Sequence, residues 1–256
     1  MILSMKKFEI FVITHKKIEY RIINNYIPII VGEKDIYKKG IYLKDDSGDN
    51  ICYKNNNYCE LTAIYWLWKN YDLPKYIGVC HYRRFFVHGF FSSLINEKKV
   101  NKIMKSYDII LPKKNTVKKG NIYEHFINGK SGKERDLINL RKIISKNYPD
   151  YLRDYDIIMQ SKSISYFNMM IISKSDYNKY CRWLFDILFE LEKITDLTGY
   201  TIQQQRIYGF LSEFLLNVWV KHEQLKPYYC DVLFIEESKI KTFINRTKIS
   251  IKRLIK

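Results

Sequence analysis

The five cysteines (Cys52, Cys59, Cys80, Cys181 and Cys230) are odd in number and none stands in a CxxC pair. That argues against a disulfide framework and against a zinc site. Nucleotide-binding glycine signatures are missing too: neither GxGxxG nor GxxxxGK[ST] occurs, and there is no HExxH and no GxSxG. Dinucleotide oxidoreductases, simple phosphate-loop enzymes, zinc proteases and typical hydrolases therefore leave the front rank. The N-terminal MILSMKKFEIFVITHKK has no long apolar region ending in a small-residue cleavage site, and no apolar run reaches about eighteen residues. Neither a signal peptide nor a membrane span is expected. Acidic residues are also scarce, 27 against 44 Lys and Arg, so the net charge is +17. Such a balance favours nucleic acid, anionic lipid or nucleotide-linked substrates. The lysines are dispersed rather than gathered on one recognition helix, which gives nucleic acid little support.

What is present reads as one α/β domain. Phe8–Thr14, Tyr26–Gly32, Tyr76–Cys80, Tyr107–Leu111 (stopped by Pro112) and Ser165–Ile172 have the β-branched and apolar character of buried strands. Between them, helical spacing marks Asn57–Asn70 with Asn57 as N-cap, Leu94–Lys105, a pair of segments from Asn121 to Tyr148 interrupted by INGKSGKE, Asp176–Lys193 and Arg206–Val220. This alternation predicts a mostly parallel central sheet flanked by helices. The tail Lys239–Lys256 holds seven basic residues and no acid, and its Ile, Leu and Phe residues can share one helical face. A basic amphipathic helix on an anionic membrane is one reading, and a terminal helix docked on the domain is the other. The expected division is a domain at 1–235 and a tail at 236–256.

The most informative segment is YIGVCHYRRFF, Tyr76–Phe86, a buried strand ending on His81, Tyr82, Arg83 and Arg84. Strand ends of this kind open onto ligand crevices in open α/β sheets, and paired guanidinium groups suit phosphate. A strand running into a solvated basic turn is the plainer alternative. Further polar groups stand at Thr14, His15 and Lys16 after the first strand, at Asp49, Asn50 and Asn57 before a helix, and at Asn168 within the SYFNMM strand. Glu60 and Glu213 interrupt apolar helical runs. Each is either on a wet helix face or a carboxylate with a raised pKa, suited to a general base. Asp154-Tyr155-Asp156 spells Asp-x-Asp, a metal-holding pattern, but its helix-like setting makes it a coincidence of spelling.

Five runs in order, GDNICYKNNNYCELTAIYWLWKN, YIGVCHYRRFF, YDIILPKK, NMMIISKSDYNKYCRWLFDILFELE and QRIYGFLSEFLLNVWV, span nearly the whole chain from Phe8 to Phe234. Together they resemble a glycosyltransferase family of bacterial capsule, exopolysaccharide and lipopolysaccharide clusters, formerly catalogued as a domain of unknown function, with a galactofuranosyl-transferring member. The resemblance implies a GT-A-like nucleotide-sugar-binding fold and sugar transfer to a growing, lipid-linked glycan at the cytoplasmic face of the membrane. A UDP-sugar is the expected donor. Carried over by position, Thr14, His15, Lys16, Asp49, Asn50, Asn57, His81, Tyr82, Arg83, Arg84, Asn168 and Arg206 are expected at the donor, and Glu213 or Glu60 as base. Where many GT-A enzymes hold a divalent ion with Asp-x-Asp, this chain has His81-Tyr82-Arg83-Arg84. No cofactor is firmly expected, with manganese or magnesium left open. A non-catalytic, anion-binding component of a polysaccharide-assembly complex is the alternative from another class, and an RNA-binding protein a third.

Overall fold

The computed structural model describes residues 7–18, 25–32, 42–89 and 93–235. In chain order its strands are β1 (Phe8–Thr14), β2 (Tyr26–Ile30), β3 (Leu43–Lys44), β4 (Tyr76–His81), β5 (Arg84–His88), β6 (Ser93–Leu94), β7 (Ile109–Pro112), β8 (Asn115–Thr116), β9 (Ser163–Ile164), β10 (Met170–Ser173) and β11 (Pro227–Phe234). The α-helices are α1 (Asn55–Tyr58), α2 (Leu61–Asn70), α3 (Glu97–Ile103), α4 (Ile122–Ile127), α5 (Glu134–Asn147), α6 (Leu152–Gln160), α7 (Lys174–Ile194) and α8 (Ile207–His222). Nine strands form one sheet in the order β3-β2-β1-β4-β10-β7-β11-β5-β6, and β8 pairs with β9 in a small separate ribbon.

The strands are apolar almost throughout because both faces of the sheet are covered. Along β1, Phe11 and Ile13 enter one core with α2, α5, α7 and α8, while Phe8, Ile10 and Val12 enter a second core with Val100 and Ile103 of α3. A period of two with both faces buried leaves few polar positions, which is why FEIFVIT reads as a continuous hydrophobic run.

The sheet is mixed, not mostly parallel. β1 runs parallel to β2 and β4, and β7 parallel to β11. Yet β10 is antiparallel to both β4 and β7, and β5 is antiparallel to β11. Alternation of strands and helices leaves strand direction open, because direction depends on which end of the sheet the connecting chain reaches. Arg84 begins a second strand of a tight hairpin, with His81 paired to Arg84 across Tyr82 and Arg83, so the basic cluster is a hairpin tip.

Three elements depart from their expected bounds. The helix expected over Asn57–Asn70 is broken at Cys59, whose φ is 51°, so Asn57 lies inside α1 rather than capping a helix. The Ser165–Ile172 strand shrinks to Met170–Ser173, because Phe167 (φ 81°) and Asn168 (φ 50°) are left-handed. Pro112 belongs to β7, beyond the point where β10 pairs with it, so the missing N–H breaks no ladder on that side. The strand β11 has no counterpart in the sequence reading. The basic tail, 236–256, lies outside the described residues. Among the described residues no helix is long and apolar enough to cross a membrane.

Gly78 sits at the sheet centre opposite Ile10. A Cβ there would stand 2.5 Å from Ile10 Cγ1 and 3.3 Å from its Cα, and Ile10 is fully buried. Gly78→Ala should therefore lower stability by about 1–3 kcal/mol through overpacking. A urea midpoint unchanged from the parent would refute that.

Candidate functional site

The parallel strands β1 and β4 end side by side, so Thr14, His15 and His81 share one edge of the sheet. They open with the hairpin tip onto a cavity of about 840 Å³. The opposite wall comes from the α1–α2 break (Asn55, Asn56, Cys59, Glu60), from Arg206, Gly209, Phe210 and Glu213 around the start of α8, and from Tyr166 and Phe167.

Backbone strain gathers here. Cys59, Phe167 and Asn168 are three of the five non-glycine residues with positive φ among the described residues. A bulky side chain at φ 81° is costly, and such conformations cluster at ligand sites where the surroundings enforce them. The enforcing contacts are specific. The Phe167 N–H donates to Glu213 Oε1 at 2.9 Å, and the Phe167 carbonyl accepts from His81 Nε2 at 2.5 Å. A carbonyl only accepts, so His81 carries its proton on Nε2. Burial holds the His81 pKa below its ordinary value, helped by the charges of Arg84 and Arg206 and opposed by Glu60 and the Phe167 carbonyl.

Asn168 is fully buried behind the cavity wall. Its Nδ2 donates to Glu60 Oε1 at 2.8 Å and to the Gly209 carbonyl at 3.0 Å. One amide thus ties the α2 start to α8 and aims Glu60. Asn168→Ala should cost about 1–3 kcal/mol, since it strands two acceptors and places alanine in the left-handed region. Thermal unfolding at unchanged temperature in that variant would contradict the bracing role.

The charges are concentrated. Burial and the neighbouring Glu60 carboxylate push Glu213 up to about 8, against the pull of the Phe167 N–H, Arg84 and Arg206. The Arg84 guanidinium lies 4.5 Å from the Phe167 ring centroid and 5.8 Å from that of Phe234, stacking that fixes the charge while its donors stay available. Arg84 Nε is buried with no hydrogen-bond partner among the described residues. Arg206 donates through Nε to Cys59 Sγ at 3.1 Å. Arg83 is exposed at the tip, 4.9 Å from the Tyr82 ring.

Of the residues singled out in the sequence, Thr14, His15, His81, Tyr82, Arg83, Arg84, Arg206, Glu60 and Glu213 line this one cavity. Asn168 stands behind its wall. Lys16 does not line it; its backbone closes a turn on Thr14, whose Oγ1 donates to the Lys16 carbonyl and accepts from its N–H. Asp49 and Asn50 do not line it either. Asp49 accepts from the Tyr65 hydroxyl and exchanges backbone bonds with the Asn70 amide, while Asn50 ties Gly48 to Cys52. Asn57 donates to the Gln205 carbonyl and so joins α1 to the turn before α8. Asp154 and Asp156 are helical and engaged by His222 and Arg141. Among the described residues no three His, Cys, Asp or Glu side chains converge as a metal site.

Sequence reasoning missed Cys59, Tyr166 and Phe167. Cys59 lay within an apparently unbroken helix and the two aromatics within an apparently regular strand, so nothing marked them as exceptional.

A family model described as a domain of unknown function, DUF4422, matches residues 9–224. No curated protein matches the chain significantly. A solved structure, that of the WbbM bifunctional glycosyltransferase in its apo form, superposes with a TM-score of 0.80 at 29% identity, over 91% of this chain and 46% of that one. The chain thus spans about half the length of the solved relative.

Proposed function

The chain belongs to the DUF4422 family, and from that premise we propose that it is a glycosyltransferase of GT-A-like architecture that moves a sugar from a nucleotide diphosphate to a glycan hydroxyl. The observation that carries the reading is Glu213, a carboxylate of raised pKa facing a cavity whose other charged groups include Arg83, Arg84 and Arg206. The likeness to a bifunctional glycosyltransferase supports glycosyl transfer as the reaction class.

In the proposed step the acceptor hydroxyl gives its proton to Glu213 while its oxygen bonds to the anomeric carbon. The bond from that carbon to the diphosphate breaks, and its electron pair leaves with the nucleoside diphosphate. Arg84, Arg83 and Arg206 offset the charge developing there. The donor set does not fit a divalent ion, since the two cavity carboxylates are engaged by Asn168 and by the Phe167 N–H. Neutral His81 holds the Phe167 carbonyl and thereby the N–H that orients the base. The family resemblance supplies the finer reading: a UDP-sugar donor, with galactofuranose as the candidate sugar, and a lipid-linked surface glycan as acceptor, at the inner face of the membrane.

A screen of nucleotide sugars tests the assignment. One donor should raise the melting temperature and be slowly hydrolysed to free nucleoside diphosphate. Donor binding with no hydrolysis and no transfer would favour the non-catalytic anion-binding alternative.

A further inference from the structure

A second cleft, of about 740 Å³, lies between β8, the loop 117–120 and α4, and Tyr166 lines both it and the first cavity. The backbone at Tyr166 is gripped on either side by one turn of α8. Asn217 accepts from the Ser165 N–H at 3.0 Å and donates to its carbonyl at 2.7 Å, while Glu213 accepts from the Phe167 N–H. The Ser165 hydroxyl also donates to the Pro112 carbonyl. Tyr166 is therefore a fixed partition. Its hydroxyl is buried with no hydrogen-bond partner among the described residues, an orphan of the kind a bound ligand satisfies. Burial and the nearby Glu213 charge push the phenol up to about 12, which places the ring beside the carboxylate and keeps its proton in place for donation.

The cleft offers what a sugar needs. Asn128, Glu124 and His125 present polar groups from α4 and its end, Thr116 and Lys118 from the facing wall, and Tyr166 an aromatic ring. Most of these groups are exposed and so pre-hydrated rather than committed to the fold.

We propose that this second cleft is the acceptor subsite, holding a saccharide whose reacting hydroxyl passes the Tyr166 partition to reach Glu213. The inference rests on the transferase reading above and adds where the acceptor lies. It makes Tyr166 a positioning residue whose hydroxyl donates to the acceptor sugar, while donor and acceptor occupy separate chambers.

Saturation-transfer NMR tests it, with UDP and the octyl glycosides of glucose, galactose and mannose as probes. For the parent protein, UDP and at least one glycoside should give signals together, neither displacing the other. Asn128→Trp and Thr116→Trp fill the cleft from opposite walls; both positions are exposed, and each variant should erase the glycoside signal while UDP still binds. The proposal is overturned if no glycoside gives a signal, if UDP displaces the glycoside, or if both tryptophan variants leave its signal intact. Loss of UDP binding in the parent, with a tryptophan-sensitive glycoside signal retained, would instead sink the donor reading and support the cleft.

Discussion

Glu213→Gln should reduce sugar transfer by about 10²–10⁴-fold, the range over which a positioned general base contributes, while nucleotide affinity stays near that of the parent. Glutamine keeps the oxygen that accepts the Phe167 N–H, so the strained turn and the Arg84 stack should survive the change. Only the capacity to take a proton is lost. In the parent, the base works deprotonated and its pKa is pushed up to about 8. Transfer should therefore rise with pH through about 8 and level off above it, and the residual rate of the glutamine variant should lose that limb. Stability runs the other way. The folded protein binds the Glu213 proton more tightly than the unfolded chain does, so the contribution of this group is intact below the ordinary carboxylate pKa. It is lost as pH rises to about 8. At pH 8–9 the glutamine variant should melt higher than the parent. Near-normal turnover would remove Glu213 from the role, and a melting difference that shrinks as pH rises would refute the buried-carboxylate account.

Arg84→Ala should weaken UDP binding by roughly 10–100-fold, the loss expected when charge-assisted hydrogen bonds to phosphate disappear, and should also slow transfer. Calorimetric titration with UDP measures the first effect. A second signature separates a direct charge role from mere loss of packing against Phe167 and Phe234. Arg84 lowers the Glu213 pKa, so its removal should move the rising limb of the pH profile to higher pH. Arg84→Lys should restore the limb toward its original position because the charge returns. It should recover affinity only in part, since an ammonium lacks the two-pronged geometry of a guanidinium. Unchanged UDP affinity in the alanine variant would argue against a diphosphate contact. A limb that stays in place would show that Arg84 and Glu213 are not electrostatically coupled.

These two expectations were legible in the sequence to different degrees. The arginines were visible because a short apolar strand ended on consecutive basic residues, and ends of parallel strands collect at one edge. Glu213 was visible as a charge in an apolar helix, but so was Glu60, and nothing in the residue order separated them. Asp49, Asn50 and Asn57 carried equally polar signals near a helix start, yet they close loops and tie α1 to its neighbour. Local order reports that a polar group stands at an element's end. It does not report which neighbour arrives to use it.

The amino-acid order by itself determined the alternation of buried strands and amphipathic helices, the position of the basic hairpin tip and the family to which the chain is similar. Each of these depends on periodicity and on short-range composition. Tertiary structure decided the direction of β10 and β5, the break at Cys59 and the left-handed turn at Phe167 and Asn168. It also decided that Glu60 is held by Asn168 while Glu213 is buried beside it with a raised pKa. Those features depend on contacts between residues as far apart as Glu60 and Asn168, or Phe167 and Glu213. Strain at one is sustained only by hydrogen bonds from the other, and burial is a property of the assembled wall.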